Sequence, residues 1–157
     1  MIRLSNYTLV FFIIINFLNF SLGNEKFFKE GLDFYNAKKY EDARFMFERT
    51  IVFNPKDSNA YLYLAKIYNL EEDQENEKKN LEATLLIEPN NEEAILMSMK
   101  IALKQSNYSE VKDLSDTFSK VCKKLCDENK NILETLSNIE PKNNESWSKS
   151  WKDLNHW

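Results

Sequence analysis

NEKFFKEGLDFYNAKKYEDARFMFERTIVFNPKD, residues 24–57, and SNAYLYLAKIYNLEEDQENEKKNLEATLLIEPNN, residues 58–91, are two copies of one pattern. Pro55 and Pro89 hold the same place in successive blocks, and the residues before each proline fall into common columns. Phe27, Tyr61 and Ile95 share one column; Gly31, Ala65 and Met99 share another; Phe34, Tyr68 and Ala102 a third. Farther along come Tyr40, Gln74 and Tyr108, then Phe47 with Leu81, then Phe53, Ile87 and Val121. The period, about 34 residues, is that of a helix–turn–helix solenoid. A generic helical bundle also shows three-and-four spacing. It does not place small, aromatic and proline columns at the same offsets in consecutive blocks.

Within each block the apolar spacing predicts helices over 25–37, 40–53, 58–70, 73–87, 91–105 and 108–121. Proline disfavours helical geometry in the residue before it, so Pro55 and Pro89 end the second helix of their blocks. Asp57 and Ser58, then Asn90 and Asn91, supply caps for the helices that follow, and Glu92 and Glu93 put negative charge where the helix dipole favours it. Beyond them Val111, Leu114, Phe118, Val121, Leu125, Ile132, Leu136 and Ile139 continue an apolar stripe. This predicts a covering helix over 126–140, since a stack of repeats leaves an apolar end. The stripe does not show whether 108–138 is one helix or breaks near Asp127–Asn129.

The pattern resembles the tetratricopeptide repeat family. That resemblance implies an all-α, right-handed superhelical solenoid of about three helix pairs plus a C-terminal capping helix. The repeats cover 24–57, 58–91 and a degenerate 92–125. In the family, small residues let the two helices approach, and Gly31, Ala65 and Ala43 fit those positions. Bulky ones fill the gaps, as Phe27, Phe34, Phe47, Phe53, Tyr61, Tyr68, Leu81 and Ile87 do. Departures are Glu30 for a leucine, Glu77 for an alanine, Met99 for a small residue, Ser115 for a bulky one, and Lys123 for the proline.

The resemblance also implies a partner-binding groove lined by the first helix of each pair. The matching residues are Phe28, Leu32 and Tyr35; Leu62, Tyr63, Lys66 and Asn69; and Leu96, Met97, Lys100, Leu103 and Lys104. Family members that grip a chaperone's terminal carboxylate use Lys, Asn and Arg at set positions. Here those positions hold Phe28, Leu32, Tyr63, Glu93 and Met97, so an extended or helical peptide with apolar anchors fits better. The alternative is that the protein's own C-terminal segment covers part of this surface.

Residues 1–23 read as a secretory signal peptide. Arg3 and the terminal amine come first, then an apolar run from Leu9 through Ile15 to Leu18, broken by Asn16, then Ser21 and Gly23 as small residues before a cleavage point. The alternative is an uncleaved anchor and a membrane-tethered scaffold, but the run is shorter than the roughly 20 residues a spanning helix needs. Export to a bacterial periplasm or cell envelope is the expectation, with secretion second. Removing the segment takes away Arg3 and no acid, which leaves 20 basic against 25 acidic side chains, a charge of −5. No basic face is visible, which argues against nucleic acid as a partner.

After Pro141 a polar linker leads to a tail, 141–157, that holds all three tryptophans. Trp147, Trp151, Leu154 and Trp157 fall on one side of a short helix. They could anchor in the groove, in a partner, on the helical core or, least favoured by charge, on a bilayer.

Cys122 and Cys126 are the only cysteines. They read as a local disulfide near a helix break, or as two thiols packed into the cap; a thiol-dependent protein is a further alternative. No nucleophile elbow, phosphate loop or metal-ligand cluster is present, and His156 is the sole histidine. The sequence reads as a non-enzyme with no cofactor and no metal: an adaptor or scaffold for a protein or peptide partner.

Overall fold

The structure, a computed structural model, describes residues 25–139. The signal-like segment, the Trp-bearing tail and His156 lie outside them. Seven helices follow one another among the described residues: α1 (25–36), α2 (Tyr40–Phe53), α3 (Ser58–Leu70), α4 (Gln74–Ile87), α5 (Glu92–Lys104), α6 (Tyr108–Val121) and α7 (Cys126–Ile139). No strand occurs among them. The chain divides into two compact units between Ser98 and Met99, inside α5.

Each helix pair is joined by the same turn. The Lys39 N–H donates to the Phe34 carbonyl and the Lys38 N–H to the Tyr35 carbonyl, both at 2.9 Å. This double closure satisfies carbonyls that the helix end leaves unpaired, and it requires a left-handed residue at its centre. Lys38 (φ 59°), Glu72 (φ 59°) and Ser106 (φ 57°) supply it, each one repeat after the last. Asp73 to Tyr68 and Asn107 to Ala102 repeat the outer bond at 2.9 Å. The residue after the left-handed one then opens the next helix. Asp73 accepts from the Asn76 N–H at 3.1 Å and Asn107 from the Glu110 N–H at 3.3 Å.

The turns between pairs also repeat. The N–H groups of Asn54, Glu88 and Cys122 close onto Thr50, Thr84 and Phe118. Asn54 (φ −137°, ψ 87°) and Glu88 (φ −130°, ψ 82°) leave the helical region, which proline disfavours in the residue before it. Asp57 and Asn91 then cap α3 and α5 by accepting from Ala60 and Ala94.

In the first unit one core cluster is Ala43, Phe47, Ala60, Leu64 and Ile67, with Phe28, Leu32, Phe34, Tyr35, Tyr40, Ile51, Tyr63 and Tyr68 packed over it. Gly31 explains the close approach of α1 and α2. A Cβ there would lie 2.7 Å from Cε1 of the Phe47 ring, closer than real Cβ contacts come. Burial of a ring such as Phe47 contributes about 1.5–3 kcal/mol. Glu77, where the repeat pattern has alanine, is buried and accepts from the Asn69 amide at 2.9 Å.

In the second unit Met99, Ile101, Ala102, Val111, Phe118, Ile132 and Leu136 are buried. The helical stretch breaks at 122–125, not at Asp127–Asn129. Cys122 is extended (φ −62°, ψ 139°) and caps α6, and Cys126 opens α7, which packs on α6. A disulfide joins Cys122 to Cys126 across this turn.

Candidate functional site

The candidate site is an aromatic wall carried by α1 and α3, joined by Tyr40 at the start of α2 and backed by Phe47 of α2, and edged by the start of α5, all in the first unit. Rings meet in sequence along it. Tyr40 lies 5.7 Å from Tyr35, Tyr35 is edge-on to Tyr63 at 5.1 Å, and Tyr63 stacks on Phe47 at 5.2 Å and meets Phe28 edge-on at 5.9 Å. Edge-to-face and offset contacts at these separations are the favoured aromatic geometries. Phe47 is the buried floor, while Phe28, Leu32, Tyr35, Tyr40 and Tyr63 are half-buried and keep part of their surface for a partner. Burial first, then the neighbouring Tyr40, Tyr63 and Glu93, holds the Tyr35 phenol above its ordinary pKa.

Charge at the edge of this wall is spoken for. The Lys66 ammonium sits 2.8 Å from Glu93 Oε2 and 4.5 Å from the centre of the Tyr63 ring. Asn69 is exposed, and its amide is engaged by Glu77.

Of the residues the sequence assigns to the groove, the structure brings Phe28, Leu32, Tyr35, Tyr63 and Lys66 together. Leu62 and Leu96 are only 5% and 4% exposed, so they support the surface and offer almost nothing to a partner. Leu103 is half-buried and Lys100 and Lys104 are exposed on the part of α5 that belongs to the second unit. Trp147, Trp151, Leu154 and Trp157 lie outside the described residues. The sequence reading did not include Tyr40, although its recurrence in the repeat register with Tyr108 was visible. A second apolar feature was also missed. A cavity of about 540 Å³ is lined by Pro55, Lys56, Tyr61, Ala83, Leu86 and Ile87.

Among the described residues no group of three or more His, Cys, Asp or Glu side chains could hold a metal ion. No helix among them is long and apolar enough to cross a membrane.

Paired helices and a common left-handed turn in every repeat together decide the architecture. The chain folds as a tetratricopeptide-repeat module. It superimposes on the Yersinia enterocolitica type III secretion chaperone SycD in complex with a peptide of the translocator YopD, with a TM-score of 0.66 and 15% identity over 72% of this chain and 91% of that one. The TPR2B domain of yeast Sti1 in its pHsp70 complex gives a TM-score of 0.68 at 13% identity, over 74% of this chain and 98% of that one. The first TPR of Spaghetti (RPAP3) bound to the HSP90 peptide SRMEEVD gives 0.64 at 12%, over 74% and 95%. No family model and no curated protein matches the sequence.

Proposed function

We propose that this tetratricopeptide-repeat module is a non-catalytic adaptor or scaffold that holds a partner peptide or helix against the aromatic wall of α1 and α3. The observation that carries the reading is the layer of half-buried rings, Phe28, Tyr35, Tyr40 and Tyr63, set over the buried Phe47. Such rings supply large contact area at low cost in side-chain freedom, and they are enriched where binding energy concentrates. The solved modules of the same fold include ones bound to peptides, which supports a protein-interaction role. Because Lys66 is already paired with Glu93, apolar anchors suit the wall better than an acidic terminus does. The leader-like order of residues 1–23 supports placing this activity in a periplasm or cell envelope.

The test is a photo-crosslinking amino acid placed at Leu32 or Tyr63, or at the exposed Glu82 of α4, in the cell that makes the protein. The two wall positions should give a discrete adduct that Tyr35→Ala weakens at a temperature where circular dichroism shows this variant still fully folded, since the lost ring contacts with Tyr40 and Tyr63 lower its melting point. Adducts from Glu82 alone, or wall adducts indifferent to Tyr35→Ala, would move the partner site elsewhere.

A further inference from the structure

We propose that the Cys122–Cys126 disulfide is a redox-sensitive latch on α7, so that reduction by a dithiol releases this helix from α6. The proposal does not depend on the peptide-binding reading.

The bridge sits at the one junction where the repeat's own punctuation is missing. Asn54-Pro55 and Glu88-Pro89 end α2 and α4; at the equivalent place after α6 the chain has Cys122-Lys123. Proline no longer fixes the exit direction there, and the bridge takes over that task. It ties the cap of α6 to the first residue of α7, with their Cα atoms 5.4 Å apart.

The contact that the bridge secures is weak by composition. Only Ile132 and Leu136 are buried apolar side chains on α7, while Leu133 and Ile139 are exposed. The third buried position is Asn129, whose amide donates to Ser119 Oγ at 3.0 Å but whose Oδ1 is buried without a hydrogen-bond partner. A buried acceptor left in that state opposes docking. Detached, a helix as short as α7 is marginal in water.

The bridge is also placed to be opened. Both cysteines are half-buried rather than enclosed. As the first residue of α7, Cys126 has its sulfur at the positive end of a helix, beside Lys123 and Lys124 in sequence; Asp127 and Glu128 in the same turn oppose them. With those side-chain charges balanced, the helix N-terminus is what favours a thiolate at Cys126 and makes it the better leaving group. A dithiol reductant attacks Cys122 Sγ, the S–S bond breaks, and Cys126 leaves as a thiolate that takes up a proton. The reductant's second thiol then displaces Cys122 and closes the reductant's own disulfide. Two electrons and two protons pass to the pair, which ends as two thiols. In an oxidising compartment the bridged form is the resting one.

Hydrogen exchange read by mass spectrometry on the whole chain, oxidised and after treatment with dithiothreitol under native conditions, tests the latch. Amides of 126–139 should lose protection at least about tenfold on reduction and regain it on reoxidation, while α2–α4 change less than about twofold. Cys122→Ser/Cys126→Ser should match the reduced protein, and the chemically reduced wild type keeps the test open should that variant fail to fold. Unchanged α7 protection would overturn the proposal. So would a bridge that native dithiothreitol leaves intact, or a loss of protection spread equally over α2–α4, which would make it a global staple.

Discussion

Lys66 of α3 and Glu93 of α5 form a 2.8 Å ion pair beside the Tyr63 ring, so the wall's edge carries a cation already neutralised by its own chain. The pair is partly exposed, with side-chain exposures of 19% and 46%, and such pairs contribute about 0–1 kcal/mol. A Lys66/Glu93 double-mutant cycle on urea unfolding should return a coupling inside that range. Binding should respond more. Glu93→Gln leaves Lys66 unopposed, and an acidic peptide labelled for anisotropy should bind this variant about fivefold tighter than wild type, a gain of about 1 kcal/mol. High salt should erase the difference. Equal affinities at low salt would mean that Lys66 does not face the groove.

The left-handed residues Lys38, Glu72 and Ser106 are all exposed. A side chain in this conformation costs about 1–2 kcal/mol, which glycine avoids, against a loss of about 0.5–1 kcal/mol from glycine's greater freedom when unfolded. The first effect is the larger. Glu72→Gly should therefore raise stability by about 0.5–1 kcal/mol and the melting temperature with it. A neutral or negative result would show that the turn is held by more than its backbone conformation.

These turns also mark where sequence reading stops. The helix limits were legible to within a residue or so because apolar spacing and proline punctuation both report on the backbone. The left-handed positions were not, since lysine, glutamate and serine carry no local signal for that conformation; only the repeat register joins them. The wall was half legible for a related reason. Register assigns Phe28, Leu62 and Leu96 to equivalent places, but it does not count neighbours. Leu62 lies on α3, which meets α1 through Phe28–Tyr63 and α5 through Lys66–Glu93, and it is buried where Phe28 is not. Glu77 shows a third limit. The departure from alanine was plain, but its answer, the Asn69 amide, lies on another helix.

Asp73 and Tyr35 give the stability a pH dependence at opposite ends of the scale. Hydrogen bonds from the Asn76 side chain and backbone hold the Asp73 carboxyl below its ordinary pKa. A lowered folded-state pKa means that its contribution is complete above the unfolded value, about 3.9, and is lost as pH falls through the lowered one. Burial raises Tyr35, so its contribution is intact below about pH 10 and is lost as pH rises past that point. Helical circular dichroism against urea at several pH values should show both limbs. Asp73→Asn should flatten only the acid limb and Tyr35→Phe only the alkaline one.

Gly31→Ala tests which of two effects prevails in α1. Alanine is the better helix former by about 1 kcal/mol. Its Cβ, however, would lie within 2.7 Å of a Phe47 ring that is fully buried and bounded by Phe28 and Tyr63. Overpacking of this kind costs about 1–3 kcal/mol. The substitution should lower stability, and Phe47→Leu in the same chain should recover part of the loss. A stabilised single variant would mean that the ring has room to move.

The same pair of positions accounts for the third repeat. Gly31 faces Phe47; the equivalents are Ala65 with Leu81, then Met99 with Ser115. As the residue on the first helix grows, the one on the second shrinks, and Met99 and Ser115 are both buried at 0% and 4%. What looks degenerate residue by residue conserves the volume of the contact, which is what a close-packed interior responds to. Met99→Ala alone should cost about 2–5 kcal/mol by opening a cavity, and Ser115→Leu alone about 1–3 kcal/mol by overpacking. Together they restore the order of the second repeat. The double variant should therefore be more stable than the sum of the single losses by at least about 1 kcal/mol, a coupling expected only of side chains that share one space. Strict additivity in urea melts would show that Met99 and Ser115 fill separate places, and that the third pair packs by a different rule from the first two.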